Sequence, residues 1–319
     1  MSRSTSSETA SAPAPPRAAP VAPKRTFGSI ALALIESLRP YQWTKNALVF
    51  VPVAAAHRLA ETHRIGAATR MFIAFCLCAS AVYLLNDSLD VSADRMHPHK
   101  QHRPIASGRL PRTVALLLVP ALLAAALTTA SPLGFGCVGV LALYFALMVA
   151  YSLRLKAVVL LDSLLLAGGY ALRVLGGGVA VHIRPSARLL AFCVFLFFSL
   201  ALLKRYAELA LLKLRDGPAT HARGYLLEDQ EVVLVLGGSS GILSVLVLAI
   251  YMSTGNIERF YSRSELIWAT SVLLLYWVSY LWLMAHRGRM TDDPLIFAIR
   301  DRLSIVLVAL MGASAWLAV

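Results

Sequence analysis

The sequence predicts an all-α integral membrane protein with nine transmembrane helices. Hydrophobic residues make up 58% of the chain, charged residues only 15%, and the mean hydropathy is +0.68. Soluble domains carry about 25% charged residues, so this composition lies outside their usual range. A lipid core about 30 Å thick requires about 20 mostly apolar residues per helix. Such runs lie near residues 46–57, 67–86, 113–131, 133–152, 157–180, 187–204, 231–252, 264–285 and 302–318.

The N-terminal part of the chain divides into a tail and the start of the membrane domain. Residues 1–26 are rich in Ala, Pro and Ser and contain no apolar run, which predicts a disordered cytoplasmic tail rather than a signal peptide. Residues 27–319 are predicted to form one transmembrane domain. The first span is short but extends backwards through FGSIALALIESLRPYQW, so Pro40 predicts a kink or a break there.

Several kinds of site are excluded by the sequence. The four cysteines all fall within predicted spans, which favours small buried hydrophobic side chains over disulfide or zinc chemistry. They are Cys76, Cys78, Cys137 and Cys193. No phosphate-binding loop, dinucleotide-binding fingerprint or zinc-protease motif occurs in the chain.

Basic residues indicate the orientation in the membrane. With a cytoplasmic N-terminus, 22 of the 30 Lys and Arg residues fall in cytoplasmic segments, 7 fall outside, and Arg173 lies within a span. This bias predicts a multi-pass protein of the plasma (inner) membrane. The net charge of +13 is then explained by topology and by attraction to anionic lipid, and we expect no nucleic-acid partner.

The stretch NDSLDVSADRMHPHK, residues 86–100, concentrates acidic groups directly after the second span. On a continuing helix, Asn86, Asp90 and Asp94 fall at i, i+4 and i+8, and Asp87, Asp90 and Asp94 fall at i, i+3 and i+7, so both sets lie on nearly one face. Crowded carboxylates repel one another unless a cation lies among them, and hard oxygen ligands suit Mg²⁺. Because Mg²⁺ usually shares its coordination shell with substrate phosphates, these four residues predict a metal site for a phosphorylated substrate. A solvated helix end is the alternative.

The same membrane face carries many basic residues without an acidic run of equal size. Cations beside a metal-chelating cluster suit a polyanion whose charge must be neutralised before a bond breaks. From residue types alone, this predicts phosphate chemistry at the inner membrane surface.

The motif N-D-x-x-D-x-x-x-D at 86–94, set within a nine-helix pattern, resembles the UbiA superfamily of intramembrane prenyltransferases. The resemblance runs through nearly the whole span region and implies a UbiA-like bundle with a polar cavity facing the cytoplasm. Four further stretches resemble the branch of decaprenyl-phosphate 5-phosphoribosyltransferases. They are LRPYQWTKN (38–46), HKQHRPIASG (99–108), LKRYAEL (203–209) and IRDRL (299–303).

This resemblance implies a reaction and its partners. In that branch, the phosphate of a polyprenyl phosphate attacks C1 of phosphoribosyl pyrophosphate (PRPP), and pyrophosphate is released with Mg²⁺ as cofactor. The implied partners are PRPP, the polyprenyl phosphate and membrane lipid, and a homo-oligomer is compatible with the sequence. A role in making an arabinofuranose donor for a cell-surface glycan is a further implication.

The resemblance also implies roles for individual residues. Asp90, Asp94 and Asp162 are expected to be catalytic, Asp162 by touching the ribose hydroxyls or a metal-bound water; its alternative is a surface pair with Lys156. Asn86, Asp87, Asp90 and Asp94 are the expected metal ligands. Substrate phosphates are assigned to Arg39, Lys45, Asn46, Lys100, Arg103, Lys156, Lys204, Arg205 and Tyr206, without a division between donor and lipid.

Two other functions remain open from the sequence. One is a prenyltransferase that moves an isoprenyl chain from its diphosphate to an aromatic acceptor. Such members of the superfamily resemble one another in a second DxxxD motif, which residues 204–231 lack. The other is a transporter, for which ionisable residues would line a path at mid-span depth, whereas here they are mainly Arg173 and Asp162.

Overall fold

The structure is a computed structural model that describes residues 27–96, 100–214, 224–253, 264–290 and 293–318. The predicted tail, 1–26, lies outside the described residues. The described chain is helical and contains no strand. Its helices are α1 (Phe27–Leu38), α2 (Val51–Ala55), α3 (Thr62–Leu89), α4 (Val91–Met96), α5 (Arg112–Ala130), α6 (Phe135–Leu153), α7 (Leu161–Ala180), α8 (Ala187–Leu214), α9 (Gln230–Met252), α10 (Ser264–His286), α11 (Pro294–Arg300) and α12 (Arg302–Leu317).

Seven of the nine predicted spans coincide with helices that are long and apolar enough to cross a membrane, counted over the described ranges. They lie at Thr62–Leu89, Arg112–Leu133, Phe135–Leu153, Leu161–Ala180, Ala187–Lys213, Leu227–Met252 and Trp268–His286. The span predicted at 302–318 corresponds to the shorter apolar helix α12. The span predicted at 46–57 is not one helix, because a 3₁₀ segment occupies Pro40–Phe50 and only α2 follows it. The chain is therefore a multi-pass membrane protein, with nine spans remaining a prediction.

The break predicted at Pro40 is confirmed. Helix α1 ends at Leu38, and Arg39 has a left-handed backbone conformation with φ 54° and ψ 59°. Proline lacks a backbone N–H and disfavours the α conformation of the residue before it, so α1 cannot continue. The 3₁₀ segment that begins at Pro40 then carries Lys45 and Asn46.

Two hydrophobic cores share helix α7. One core joins α7 to α3, α5 and α6 around Met71, Phe75 and Leu141. The other joins α7 to α8, α9 and α10 around Leu203 and Leu281. Helix α7 therefore holds the two halves of the bundle together, and both halves contribute side chains to the polar region described below.

The 3₁₀ segment packs directly on α7 at a glycine. A Cβ atom added at Gly177 would lie 2.0 Å from the backbone oxygen of Val49, far inside van der Waals contact. Only a residue without a side chain permits this approach. The close packing fixes the segment that carries Lys45 against α7.

Candidate active site

Asp87 and Asp94 converge on the same arginine. Arg103 Nη1 lies 3.0 Å from Asp87 Oδ1 and 2.8 Å from Asp94 Oδ2. Arg39 Nη2 adds a second cation, 2.7 Å from each carboxylate oxygen of Asp87. Both aspartates are buried, whereas Arg103 is partly exposed. Asp87 lies in α3 and Asp94 in α4, and their shared contact with Arg103 shows that the two side chains point the same way, as the spacing predicted.

Asp90 pairs with a different cation. Its Oδ1 is 2.6 Å from Lys156 Nζ, and both side chains are about a quarter exposed, at 28% and 26%. Helix α3 ends at Leu89, and Asp90 interrupts the path to α4 with φ −92° and ψ 9°. The sequence assumed one continuous helix for Asn86, Asp90 and Asp94, whereas α3 ends at Leu89 and α4 begins at Val91; a shared metal face for the three residues stays a prediction.

The geometry fits a metal that is shared with a substrate better than a metal held by protein alone. Among the described residues, no group of three or more His, Cys, Asp or Glu side chains is placed to hold a metal ion. Asp87 and Asp94 nevertheless direct hard oxygen donors at one point, where a positive guanidinium nitrogen now lies. Mg²⁺ prefers such oxygens and usually completes its shell with substrate phosphates. Two of the four predicted ligands are thus brought together.

A cation-rich cavity of about 200 Å³ lies next to the acidic residues, and we name it the Tyr170 cavity. Its charged lining consists of Arg39, Lys45, Lys204, Arg205 and Asp293, and its aromatic lining includes Tyr83, Tyr151 and Tyr170. Arg39 connects this cavity to Asp87. The two arginines are each neutralised by acids outside the lining, so the excess positive charge comes from Lys45 and Lys204 against the single carboxylate of Asp293, which favours an anion.

A second polar cavity of about 290 Å³ adjoins the first, and we name it the Arg103 cavity. The two cavities share Arg39, Gln42, Lys204 and Asp293. The Arg103 cavity adds Arg103, which binds both Asp87 and Asp94. The acidic pair therefore reaches both cavities through the two arginines.

An apolar cleft of about 650 Å³ continues from the Tyr170 cavity. The cleft and the cavity share Lys45, Tyr170, Phe197 and Leu295. The rest of the cleft is almost entirely apolar and is formed by Thr44, Leu48, Trp277, Ala298, Ile299, Ile305, Val308 and Ala309. Lys45 thus marks the boundary between a charged compartment and an apolar one.

Asp293 is a functional candidate that the sequence reasoning missed. Its Oδ2 lies 3.1 Å from Lys45 Nζ and 3.5 Å from Lys204 Nζ, and its Oδ1 accepts a hydrogen bond from the backbone N of Leu295. Burial alone would raise the pKa of Asp293, but the two ammonium groups outweigh it and hold that pKa below its ordinary value. The Asp-Pro pair was a readable signal for a helix N-cap, although not for a cavity wall.

Asp162 is completely buried and does not line the Tyr170 cavity, but it binds Arg205, which does. Its Oδ2 accepts from Arg205 Nε at 2.8 Å, and its Oδ1 accepts from the Tyr225 hydroxyl at 2.7 Å. Arg205 also pairs with Glu208 and lines the Tyr170 cavity. The surface pair with Lys156, expected as the alternative, does not form, since Lys156 binds Asp90.

Asn46, Tyr206 and Lys100 line none of these three compartments. Asn46 is buried, accepts from Arg173 Nε at 2.7 Å and donates to Cys76 Sγ. The Tyr206 hydroxyl lies 2.8 Å from His286 Nδ1. Neighbouring helix residues differ by about 100° in direction, so Lys204 and Arg205 can face the cavity while Tyr206 faces α10.

Arg173 places an additional positive charge behind the aromatic wall. It donates to Asn46, to the Gly169 carbonyl at 2.7 Å and to the Tyr144 hydroxyl at 2.9 Å. Its guanidinium lies 5.4 Å from the centre of the Tyr170 ring. Arg173 forms no ion pair with a carboxylate of the described residues, so its charge adds to the positive character of the neighbouring cavity.

Known proteins resemble this chain over most of its length. The model of the UbiA prenyltransferase family matches residues 47–299. The nodulation protein NoeC of Azorhizobium caulinodans is 34% identical over 273 residues, covering 86% of this chain and 89% of that protein. A decaprenyl-phosphate phosphoribosyltransferase of Mycolicibacterium smegmatis is 32% identical over 290 residues, covering 88% of this chain and 90% of that protein.

A similar fold is seen in a solved structure of a UbiA homologue from Archaeoglobus fulgidus bound to GPP and Mg²⁺. The two superpose with a TM-score of 0.64 at 17% identity, covering 89% of this chain and 99% of that one.

Proposed function

The chain belongs to the UbiA prenyltransferase family, and we propose that it transfers 5-phosphoribosyl from PRPP to a polyprenyl phosphate of the decaprenyl type, releasing pyrophosphate. The observation that carries this proposal is the continuity of the Tyr170 cavity with the apolar cleft through Lys45. A lipid phosphate has the same two parts, an anionic head and an apolar chain. The cleft suits the chain, and the cations suit the phosphate.

The second polar cavity supplies room for a water-soluble donor. The Arg103 cavity borders the arginine that bridges Asp87 and Asp94. A pyrophosphate bound there would meet cations and, through a shared metal, the two carboxylates. The two cavities share a wall, which suits two substrates whose reacting atoms must meet.

The cations of helix α8 support a phosphate nucleophile over a prenyl diphosphate. Lys204 and Arg205 line the Tyr170 cavity from within α8, at the beginning of the segment 204–231 that lacks the second acidic motif of aromatic prenyltransferases. Cations there attract a lipid phosphate directly. A relative at 32% identity that bears the name decaprenyl-phosphate phosphoribosyltransferase adds weight to this choice.

The reaction follows from charge and position. Asp87 and Asp94, with Asn86 and Asp90 nearby, would hold Mg²⁺, which when bound neutralises negative charge on the pyrophosphate. The bond from C1 to the pyrophosphate oxygen breaks, and the electron pair leaves with pyrophosphate. An oxygen of the lipid phosphate then forms the new bond to C1.

In this scheme the protein residues position the substrates and neutralise their charge, and none of them needs to accept a proton. A phosphate monoester is already ionised at neutral pH, so the nucleophile requires no general base. Lys45, Lys204, Arg205 and Arg39 would hold the lipid phosphate and the leaving group in place. Most of the rate would come from orientation and charge stabilisation.

The proposal extends to location. The excess of Lys and Arg in the predicted cytoplasmic segments supports a protein of the plasma (inner) membrane with a cytoplasmic N-terminus. The acidic residues and both polar cavities would then face the cytoplasm, where a soluble sugar donor is available.

Two parallel incubations test the function. Purified protein receives Mg²⁺, polyprenyl phosphate and ribose-labelled PRPP in one, and labelled prenyl diphosphate with 4-hydroxybenzoate in the other. We expect labelled lipid in the first incubation. Label in the lipid-soluble product of the second alone would overturn the proposal. It would favour prenyl transfer to an aromatic acceptor, the alternative left open by the sequence.

A further inference from the structure

Asp293 lies at the boundary between the apolar cleft and the Tyr170 cavity, where a lipid bound in the cleft would place its phosphate head group. Lys45 borders both the Tyr170 cavity and the apolar cleft, so a lipid chain in the cleft brings its first phosphate to the Lys45 ammonium. The Asp293 carboxylate is 3.1 Å from that ammonium and also lines both polar cavities. Among the residues that line the Tyr170 cavity, Asp293 supplies the carboxylate.

The charges at this point favour a small anion. Lys45 and Lys204 share the one carboxylate of Asp293, so the three groups together carry a net charge of +1. A phosphate monoester carries a charge of about −1.5 to −2 at neutral pH. A lipid diphosphate carries more charge and extends further from its chain. Its second phosphate would enter the polar cavities whose shared wall includes the carboxylate, where like charges repel. The donor's pyrophosphate differs, because it would enter the Arg103 cavity with a metal that screens this repulsion.

We infer that Asp293 is a specificity-determining residue that makes the site prefer a lipid phosphate over the corresponding lipid diphosphate. The inference rests on the proposed function, because it assumes that a lipid phosphate is a substrate. The carboxylate selects against the wrong ligand by repulsion, while the two lysines attract either ligand. The preference would arise at binding, before any chemical step.

Asp293 also caps helix α11, and a suitable control separates the two roles. Asp301 caps helix α12 in the same way, with its Oδ2 accepting from the backbone N of Ser304 at 2.8 Å. Asp301 lines neither polar cavity nor the apolar cleft. Asn is as good an N-cap as Asp, so Asp→Asn at each position removes one charge and keeps the cap.

The test is a competition binding experiment on the full chain in detergent, without donor and with EDTA so that no metal screens the charges. Labelled polyprenyl phosphate is displaced by unlabelled polyprenyl phosphate or by polyprenyl diphosphate of the same chain length. We expect the unaltered protein to prefer the phosphate. In Asp293→Asn that preference should fall by about tenfold, whereas Asp301→Asn should keep it.

Two further variants distinguish the loss of the Asp293 charge from a folding defect. Asp293→Ser removes the charge and keeps a capping oxygen, so it should lose the preference as Asp293→Asn does. Asp293→Glu keeps the charge and should retain the preference. An unchanged preference in both charge-removing variants, with both lipids still bound, would overturn the inference and leave the proposed function intact. Failure of the unaltered protein to bind polyprenyl phosphate would instead overturn the proposed function, and the inference with it.

Discussion

The Asp162–Arg205 pair and the Asp87–Asp94–Arg103 cluster serve the same polar region but differ in how open they are. In the first, the side chains are 0% and 2% exposed. In the second, the carboxylates are similarly buried, at 4% and 5%, but Arg103 is 26% exposed. A cation that reaches solvent can leave its carboxylates when a ligand or metal arrives. A cation that is fully enclosed cannot.

This difference separates two tasks within one site. The Asp162–Arg205 pair, which we call the closed pair, fixes the Arg205 guanidinium at the wall of the Tyr170 cavity. Tyr225 donates to Asp162, and Glu208 pairs with Arg205. The Asp87–Asp94–Arg103 cluster, which we call the open cluster, keeps two buried carboxylates neutralised by a cation that a ligand or metal can replace. Substitutions in the closed pair should therefore affect stability, and substitutions in the open cluster should affect turnover.

The largest effect is expected from Asp162→Ala. Removal of one partner of a buried ion pair typically costs about 3–5 kcal/mol, and because Arg205 keeps its pair with Glu208 we expect the lower end of that range. Denaturant unfolding in detergent measures the change in free energy of unfolding. The double variant Asp162→Ala with Arg205→Met serves as the control and should recover part of the loss. A loss below about 1 kcal/mol in the single variant would contradict the closed-pair interpretation.

The opposite pattern is expected from Asp94→Ala. Turnover should fall at least about 100-fold, as it does when one group that stabilises developing charge is removed. The free energy of unfolding should change by no more than about 1 kcal/mol, since Arg103 remains solvated. Asp90→Ala should likewise abolish turnover in a folded protein.

Glu36→Ala is the matched control for Asp94→Ala. Glu36 pairs with Arg109 Nη1 at 2.7 Å on an exposed surface, so the same loss of a carboxylate there should leave turnover unchanged. Full activity in Asp94→Ala would remove Asp94 from the site.

A moderate effect is expected from Tyr225→Phe. It removes the hydroxyl that donates to Asp162 and accepts from the backbone N of Leu160, and such hydrogen bonds contribute about 1 kcal/mol each. Burial raises the pKa of Tyr225 to about 12, so its contribution is fully present below the unfolded value of about 10 and disappears as pH rises through the folded one. Unfolding at neutral and at alkaline pH tests both points. An equal loss at both pH values would argue against this hydrogen bond as the cause.

The smallest stability effect is expected from Lys156→Gln. Its pair with Asp90 is about a quarter exposed on each side, and such pairs contribute about 0–1 kcal/mol. Unfolding measurements should therefore hardly distinguish it from the unaltered chain. A loss of unfolding free energy comparable to that of Asp162→Ala would contradict the difference proposed between partly exposed and buried ion pairs.

Local sequence patterns predicted the parts of the site that depend on local geometry. The spacing of Asp87 and Asp94 placed them on one face, and Pro40 predicted the break that ends α1. The spacing argument assumed one continuous helix through Asp90, whereas α3 ends at Leu89 and α4 begins at Val91. Spacing cannot reveal that interruption when no proline or glycine marks it.

The closed pair and Asp293 were beyond the reach of local patterns. Asp162 meets Arg205 and Tyr225, which lie 43 and 63 residues away along the chain. Asp293 meets Lys45 across 248 residues. Such pairs are set by how the helices pack, so composition and periodicity predicted a basic membrane face but not which acid neutralises which base.

The central claim, that a lipid phosphate attacks C1 of the donor, is tested most directly by following two labels in one reaction. The polyprenyl phosphate carries labelled phosphorus and the PRPP carries a labelled ribose. We predict a single lipid product that holds both labels, with unlabelled pyrophosphate released into the aqueous phase. Phosphorus label in the aqueous phase, or a lipid product without the ribose label, would contradict the account.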